Sequence, residues 1–226
     1  LHDISINVRQ REIVGLYGLM GSGCSEIIEC AFGVRKYKKG EFFVKGQKIK
    51  IRQPMDAKNA GLAYVPAERK RQGLMLGHSV LNNLTIVTLK DFVDGLFLNL
   101  KRERETALKW IKNYRIKTPS LHTPASSLSG GNQQKIVISK WVATRPKVFM
   151  LNDPTKGIDV GAKVEIYKDI DALCQAGCGV IYVAAELPEL LGIADRVYVI
   201  HEGRLAAEYA GDDITQVNIV KSAIGE

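Results

Sequence analysis

The chain has 226 residues, of which 46% are hydrophobic and 25% charged, and this composition excludes intrinsic disorder and collagen-like or low-complexity classes. Its formal net charge of +8 is concentrated in the first half, which indicates a polyanionic partner such as nucleic acid, a membrane surface or a phosphate-bearing ligand. The four cysteines form no CxxC pair and favour a reducing compartment, and no apolar run reaches the length of a membrane span.

The first elements are predicted to be a strand, a glycine-rich turn and a helix. A short apolar run predicts the strand at Ile13–Tyr17, and apolar residues at helical spacing predict the helix at Ser25–Phe32. Residues 41–51 predict a hairpin, and Leu62–Val65 predicts a further short strand.

A block of helices interrupts the strands. Residues 79–117 are predicted to be mostly helical, above all 101–114, where an apolar face lies beneath a charged one. We therefore expect a helical subdomain at about 79–142, inserted into a single domain that spans residues 1–226.

From residue 129 onward, helices and strands alternate regularly. The predicted helices are 129–142, 161–174, 187–193 and 214–224; the predicted strands are 148–151, 179–184 and 196–200, followed by two further strands or a hairpin. Such alternation implies a mostly parallel sheet with helices on both faces. The predicted fold class is therefore α/β, with a small antiparallel part and the helical insertion.

One glycine-rich segment resembles a phosphate-binding loop. The segment Gly18-Leu19-Met20-Gly21-Ser22-Gly23-Cys24-Ser25 fits the pattern G-x-x-x-x-G-K-[ST] except at the lysine, where Cys24 stands. The glycines allow amides to curl around an anion, and the following helix offers its positive end. A thiol at such a helix start is expected to have a lowered pKa. The missing cation leaves a phosphate site and a plain glycine turn both open.

A second motif carries the resemblance to a family. The segment Leu128-Ser129-Gly130-Gly131-Asn132-Gln133-Gln134-Lys135 resembles the signature sequence of the ABC-transporter ATPases. Ser129 is expected to cap the helix that begins there, where the glycines leave amides bare. The ending Asn-Gln-Gln-Lys is similar to ribose/galactose/xylose-type sugar importers, in particular to the second of their two tandem cassettes. The resemblance covers the whole chain and implies a fold of the P-loop NTPase type.

The resemblance also assigns further positions. Asn152 stands where the family has the Asp that holds Mg²⁺ through water, and Asp153 where it has the Glu that orients or deprotonates the attacking water. Asp159 falls in the loop that contacts the opposite cassette. Ala67 replaces a Gln or Glu, and Ala185 replaces the switch His.

These departures imply an impaired nucleotide site. By resemblance, the ATP-binding residues are Gly18, Leu19, Met20, Gly21, Ser22, Gly23, Cys24, Ser25 and Glu26, with Ser25 and Asn152 at the Mg²⁺ positions and Asp153 as a weak catalytic residue. Phosphoryl transfer depends on positioning and on charge around the transferred group. Because a lysine, a carboxylate and an imidazole are missing, we expect hydrolysis at this loop to be near background.

The intact signature has a different implied role. In the family, two cassettes pair head to tail, and each ATP lies between the phosphate loop of one and the signature of the other. Leu128, Ser129, Gly130, Gly131, Asn132 and Gln133 would therefore act in trans and complete the site of the first cassette. The sequence does not begin with Met, and we expect it to be a fragment of a longer tandem-cassette protein.

The resemblance implies ATP as cofactor, with Mg²⁺ weak or absent at this site. The implied partners are the first cassette of the same polypeptide, transmembrane permease subunits and, indirectly, a periplasmic or lipoprotein sugar-binding protein, with no nucleic acid. The implied location is peripheral, at the cytoplasmic face of the cell membrane. Three alternatives stay open: an ABC ATPase acting on nucleic acid or the ribosome, a scaffold that couples the permease without binding nucleotide, and a cassette of a nucleoside or autoinducer importer.

Overall fold

The computed structural model describes every residue from Leu1 to Glu226. The strands are β1 (Ile13–Tyr17), β2 (Phe42–Val44), β3 (Gln47–Ile49), β4 (Leu62–Val65), β5 (Val93–Asp94), β6 (Phe97–Leu98), β7 (Val148–Asn152), β8 (Gly179–Val183), β9 (Arg196–His201) and β10 (Arg204–Ala210). The α-helices are α1 (Cys24–Phe32), α2 (Pro54–Ala60), α3 (Val80–Thr85), α4 (Leu100–Asn113), α5 (Gly130–Val142), α6 (Val160–Gln175), α7 (Leu187–Ile193) and α8 (Gln216–Ile224). The chain divides into two compact units. The first comprises Leu1–Tyr64, Pro146–Asp153 and Ile170–Glu226, and the second comprises Val65–Arg145 and Pro154–Asp169.

The first unit is built around a six-stranded sheet with the order β10-β9-β1-β8-β7-β4. Strand β1 pairs in parallel with β8 and β9, and β7 pairs in parallel with β8, whereas β10 runs antiparallel to β9. Strands β1, β7 and β8 are almost completely buried and consist mainly of apolar residues, which is typical of strands covered on both faces. The predicted α/β class with a mostly parallel sheet is confirmed.

Strand β1 leads through residues 18–23 into α1. Ile28 and Phe32 of this helix are buried, and the Phe32 ring stacks on Tyr64 of β4 with 5.3 Å between ring centroids. The helix ends at Gly33, whose φ of 79° is a left-handed conformation that suits glycine. Helix α1, which follows the glycine-rich turn, is thereby packed against the sheet.

At the other end of the first unit, α7 and α8 contribute to a buried apolar cluster with β9. Its members are Leu187, Val197, Val199, Ile219 and Ala223. Full burial of a large apolar side chain stabilises a fold by about 1.5–3 kcal/mol, so this cluster is a substantial part of the core.

A buried network of charges joins β9 to the chain just before β1. Arg196 is 5% exposed and donates to Glu12 Oε1 at 2.8 Å, to Glu208 Oε1 at 2.7 Å and to Asn7 Oδ1 at 2.9 Å. Burial alone would raise the pKa of Glu12, but the hydrogen bonds from Arg196 and from the Arg9 amide hold it below its usual value. Both charges are therefore retained inside the protein.

The second unit consists mainly of helices. The Ser79 hydroxyl accepts from Asn82 N at 3.2 Å and caps α3, which packs against α4 and α5. Between α3 and α4 lie a 3₁₀ segment, Ile86–Phe92, and the small hairpin of β5 and β6. The subdomain predicted at about 79–142 falls within this unit, which also contains a π-helical turn at Arg69–Gly73.

The predicted strands and helices outside residues 79–117 are present with small shifts of their ends. After β9, two further strands or a hairpin were predicted, but only one strand, β10, follows, and it pairs with β9 itself. Helix α2, the turn Arg69–Gly73 and the short 3₁₀ turns Ala125–Ser127 and Gly211–Asp213 were not predicted, and the β5–β6 hairpin lies within residues 79–117, which were predicted to be mostly helical. Helix α2 has a recognisable start, because Pro54 is at its first position and Asp56 Oδ2 accepts from Gln53 N at 3.2 Å. None of the helices combines the length and the apolar character that crossing a membrane requires.

Candidate functional site

Residues 18–23 form a compact turn between β1 and α1 in the first unit. A Cβ on Gly18 would lie 2.3 Å from a backbone oxygen of β9, so only glycine fits there. Gly21 (φ 83°) and Gly23 (φ 108°) have left-handed backbones. Gly203 N donates to Ser22 O at 2.8 Å and ties the turn to the β9–β10 connection. The turn therefore has a fixed shape.

The backbone of this turn fits an anionic group. The first N–H groups of any helix lack acceptors within it, which leaves the amides of Cys24, Ser25 and Glu26 at the start of α1 without intrahelical partners. A Cβ on Gly21 would meet nothing within 4 Å, so the outer side of the turn is open. These amides and this opening would hold the phosphates of a nucleotide.

Cys24 occupies the position of the expected cation and does not replace its charge. The residue is 7% exposed, and its Sγ lies 3.4 Å from Ser22 Oγ. Burial raises the pKa of the Cys24 thiol to about 11, although the hydrogen bond with Ser22 opposes the rise. The expectation of a lowered thiol pKa is wrong, because burial outweighs the helix end. At neutral pH the loop offers amides but no positively charged side chain at this position.

The two residues expected at the Mg²⁺ positions, Ser25 and Asn152, contact each other. Ser25 Oγ donates to Asn152 Oδ1 at 3.0 Å, and Asn152 Nδ2 donates to the Tyr64 hydroxyl at 3.4 Å. Asn152 is 3% exposed and uncharged. Proteins usually hold Mg²⁺ through one or two carboxylates together with substrate phosphates. A hydroxyl and an amide oxygen do not fit a resident Mg²⁺ ion in this way.

Asp153 and Ala185 follow two neighbouring strands of the same sheet. Asp153 has a left-handed backbone with φ of 46°, and its N–H donates to Val183 O at the end of β8 at 2.8 Å. Aspartate tolerates this conformation better than most residues do. Ala185 lies just after β8 and is exposed, and its methyl group provides neither a proton nor a hydrogen bond. The residue expected at the switch position therefore cannot act as an imidazole does.

The signature segment (residues 128–133) lies at the start of α5 in the second unit. Ser129 Oγ accepts from the Asn132 side-chain amide at 2.9 Å instead of from a backbone N–H, so the expectation that Ser129 caps the helix is wrong. Asn132 Oδ1 accepts in turn from Lys117 N at 2.7 Å. Gln133 is buried and donates to a carbonyl of the preceding turn at 3.1 Å. The first turn of α5 therefore has no side-chain cap.

Both signature glycines have crowded surroundings. A Cβ on Gly130 would lie 2.7 Å from Arg69 Nη2, and a Cβ on Gly131 would lie 2.7 Å from the Ala162 Cβ. Asp159 Oδ1 accepts from Ala162 N at 2.9 Å and thus caps α6. The predicted loop residue Asp159 and the signature glycines are therefore brought together in one unit.

Ala67 lines a cavity of about 200 Å³ in the second unit. The other lining residues are Glu68, Arg69, Lys70, Lys156 and Gly157. Lys156 Nζ and Glu68 Oε1 form an ion pair at 2.7 Å across it. Sequence reasoning gave Arg69 no role, and the only available signal was its place in a short basic run after β4.

Comparison with known proteins agrees with this geometry. The model of the ABC transporter family matches residues 1–156. The ribose import ATP-binding protein RbsA of Oceanobacillus iheyensis is 42% identical over 224 residues, and the xylose import ATP-binding protein XylG of Geobacillus kaustophilus is 41% identical over 226. These matches cover 99% and 100% of this chain but only 45% of each relative. The chain thus spans less than half the length of these relatives.

Solved structures share the fold. A nucleotide-free ATP-binding cassette from an ABC transporter superimposes with a TM-score of 0.79 at 22% identity, covering 99% of this chain and 91% of that one. A dimeric ATP-binding cassette in a post-hydrolysis state, bound to ADP and Pi, gives a TM-score of 0.77 at 20% identity, covering 92% and 88%.

Proposed function

The chain belongs to the ABC transporter family, and on this premise we propose that it is an ATP-binding cassette of a sugar importer, with an impaired nucleotide site of its own and a signature segment that completes the site of a partner cassette. The relatives named for import of ribose and of xylose support a sugar as cargo. The proposed partners are a first cassette on the same polypeptide, permease subunits and a sugar-binding protein, with the cassette held peripherally at the cytoplasmic face of the membrane.

The observation that carries the proposal is the loss of charge around the glycine-rich turn. The thiol of Cys24 is neutral, Asn152 has no charge and Ala185 has no ring. Removing one preorganised group that stabilises the transition state costs about 3–4 kcal/mol, so three such losses leave little catalysis. The turn retains its backbone amides, which support weak nucleotide binding without hydrolysis.

The signature segment supports a role in trans. Its first helical turn has no side-chain cap, so the first backbone N–H groups of α5 have no side-chain acceptor within the segment and are available to an anionic group. A structurally similar cassette is a dimer bound to ADP and Pi, which supports recognition across a cassette pair. The part of the relatives outside the match is longer than this chain, and a further cassette has room there.

A substitution at the signature tests the proposal. In the full-length polypeptide with its permease, Ser129→Arg is expected to lower ATP turnover and sugar transport at least tenfold, because the side chain obstructs the partner site. Ser126→Arg is the matched control, since Ser126 is an exposed serine on the preceding turn. Full transport by Ser129→Arg would contradict the proposal.

A second measurement separates the proposal from the pure scaffold. Calorimetric titration of the chain with ATP is expected to give weak, saturable binding without measurable hydrolysis. Absence of binding favours a scaffold, whereas hydrolysis at the rate of a competent cassette overturns the impaired site.

A further inference from the structure

The turn at Arg69–Gly73 is fastened beside α5 at both ends. At one end, Lys140 Nζ of α5 donates to Gly73 O, and a Cβ on Gly73 would lie 3.1 Å from a valine of the same helix. At the other end, the Arg69 side chain lies against Gly130, the first residue of α5. The turn thus lies beside α5 from Gly130 to Lys140, and Arg69 is the residue of the turn that contacts the signature segment.

The guanidinium of Arg69 bridges two consecutive carbonyls. Its Nη1 donates to Lys156 O at 2.5 Å, and its Nη2 donates to Gly157 O at 3.1 Å. A guanidinium presents its donors as a rigid planar fork, whereas a lysine ammonium is a compact point charge on a flexible stem. Lysine at this position would keep the charge but would not reproduce this pair of bonds.

The same guanidinium determines the space at Gly130. A Cβ there would lie 2.7 Å from Arg69 Nη2 and 3.1 Å from Gly157 O. On the neighbouring residue, Gly131, a Cβ would collide with Ala162 of α6. The first turn of α5 is therefore held against the segment 156–162, and Arg69 is the side chain that joins the two.

The charge of Arg69 is not explained by an ion pair. The adjacent carboxylate of Glu68 pairs with Lys156 instead, and Arg69 Nε is buried without a hydrogen-bond partner. Burial lowers the pKa of Arg69, and the positive end of α5 repels a cation. The hydrogen bonds that the guanidinium does make are those to the carbonyls of Lys156 and Gly157.

We infer that Arg69 is a positioning residue for the signature segment. By holding the carbonyls of Lys156 and Gly157 against Gly130, it fixes the distance between the loop that carries Asp159 and the first amides of α5. The inference rests on the proposed function of the signature, because the consequence of this positioning is the geometry offered to a partner cassette.

The test compares Arg69→Lys and Arg69→Gln with Arg71→Lys, a control on the same turn at an exposed position. Hydrogen–deuterium exchange of the full-length polypeptide is expected to show exchange about tenfold faster at residues 130–133 and 157–162 in both Arg69 variants, with an unchanged melting temperature. The same variants are expected to lower kcat for ATP about tenfold with less than a twofold change in KM, because the partner's own loop provides the ground-state binding. Arg71→Lys should match the wild type in all three measurements.

Unchanged exchange in Arg69→Lys would overturn the inference, and so would a general loss of protection with a lower melting temperature, which would mean a merely structural role. An unchanged kcat in Arg69→Lys, where Ser129→Arg does lower ATP turnover, would likewise overturn it. The exchange measurement needs no nucleotide, whereas Ser129→Arg tests the signature itself. Local loosening in Arg69→Lys together with full activity of Ser129→Arg would therefore contradict the proposed function and not the positioning contact.

Discussion

Replacing Cys24 by lysine tests whether a missing charge separates this turn from a competent phosphate loop. The thiol is buried, lies 3.4 Å from Ser22 Oγ and has a pKa of about 11, so it contributes no charge at neutral pH. A lysine stem can cover apolar surface while its ammonium extends toward solvent. The open side of the turn at Gly21 gives the ammonium a route to a bound phosphate.

The expected gain follows from the strength of one charged contact. A hydrogen bond to a charged group contributes about 1.5–3 kcal/mol, and about 1.4 kcal/mol corresponds to a factor of ten in affinity. Cys24→Lys should therefore bind ATP roughly 10- to 150-fold more tightly than the wild type. The carboxylate of Glu26, whose charge already acts on position 24, competes for the ammonium and places the expectation near the lower end of this range.

Titration of the purified chain with a fluorescent ATP analogue measures the effect. Cys24→Ser is the matched control, because it replaces the thiol by a small neutral hydroxyl at the same place. Adenosine, which has no phosphates, should bind equally to both variants. The reasoning is refuted if Cys24→Lys binds ATP no more tightly than Cys24→Ser, or if the gain is equal for adenosine.

Three further substitutions test charges inside the protein. Asn152→Asp places a buried carboxylate beside the Ser25 hydroxyl. In EDTA, the melting temperature of this variant should be lower than that of the wild type, and added Mg²⁺ should restore it. The melting temperature of the wild type should change with neither EDTA nor Mg²⁺. Burial lowers the pKa of Lys140 to about 8, so the unfolded chain binds the proton of this ammonium more tightly than the folded chain does. The free energy of unfolding of the wild type should therefore rise between pH 8 and 10.5, by up to ~3 kcal/mol. Urea unfolding of Lys140→Met should show no such rise, and a parallel pH profile would contradict the assignment. Arg196→Ala leaves Glu12 buried without its partner and should lower the free energy of unfolding by about 3–5 kcal/mol in urea, whereas a loss below 1 kcal/mol would show that the network is not stabilising.

The elements that could be predicted are those whose apolar residues repeat with a regular period or form a continuous run. The runs at Val148–Asn152 and Gly179–Val183 are apolar because both faces of the strands are covered, and this is readable residue by residue. The hairpin of β5 and β6 has two residues in each strand and exposes Phe97 and Leu96, so it has no buried face and leaves no such period. Helix α2 was missed although Pro54 and Asp56 mark its start, because its seven residues contain a single buried side chain.

The candidate site was predictable in position but not in electrostatics. Motif spacing located the glycine-rich turn and the signature segment, since both depend on local backbone chemistry. The pKa of Cys24 could not be derived, because it depends on how deeply the tertiary packing buries the thiol. The partner of Ser129 was likewise unpredictable, since Asn132 and a backbone amide are both within reach of a serine at a helix start. Arg69 was missed because its partners are 87 and 88 residues away.

In the glycine-rich turn and in the signature segment, glycines and polar residues carry different kinds of information. Gly18 has no room for a side chain beside β9, and Gly131 has none beside Ala162. These glycines are required by packing whether or not a nucleotide binds, so they do not distinguish an active cassette from an impaired one. The distinction rests on groups that packing does not require, above all the charge missing at Cys24. A glycine pattern therefore predicts the shape of a phosphate site, and the charged positions around it decide the chemistry.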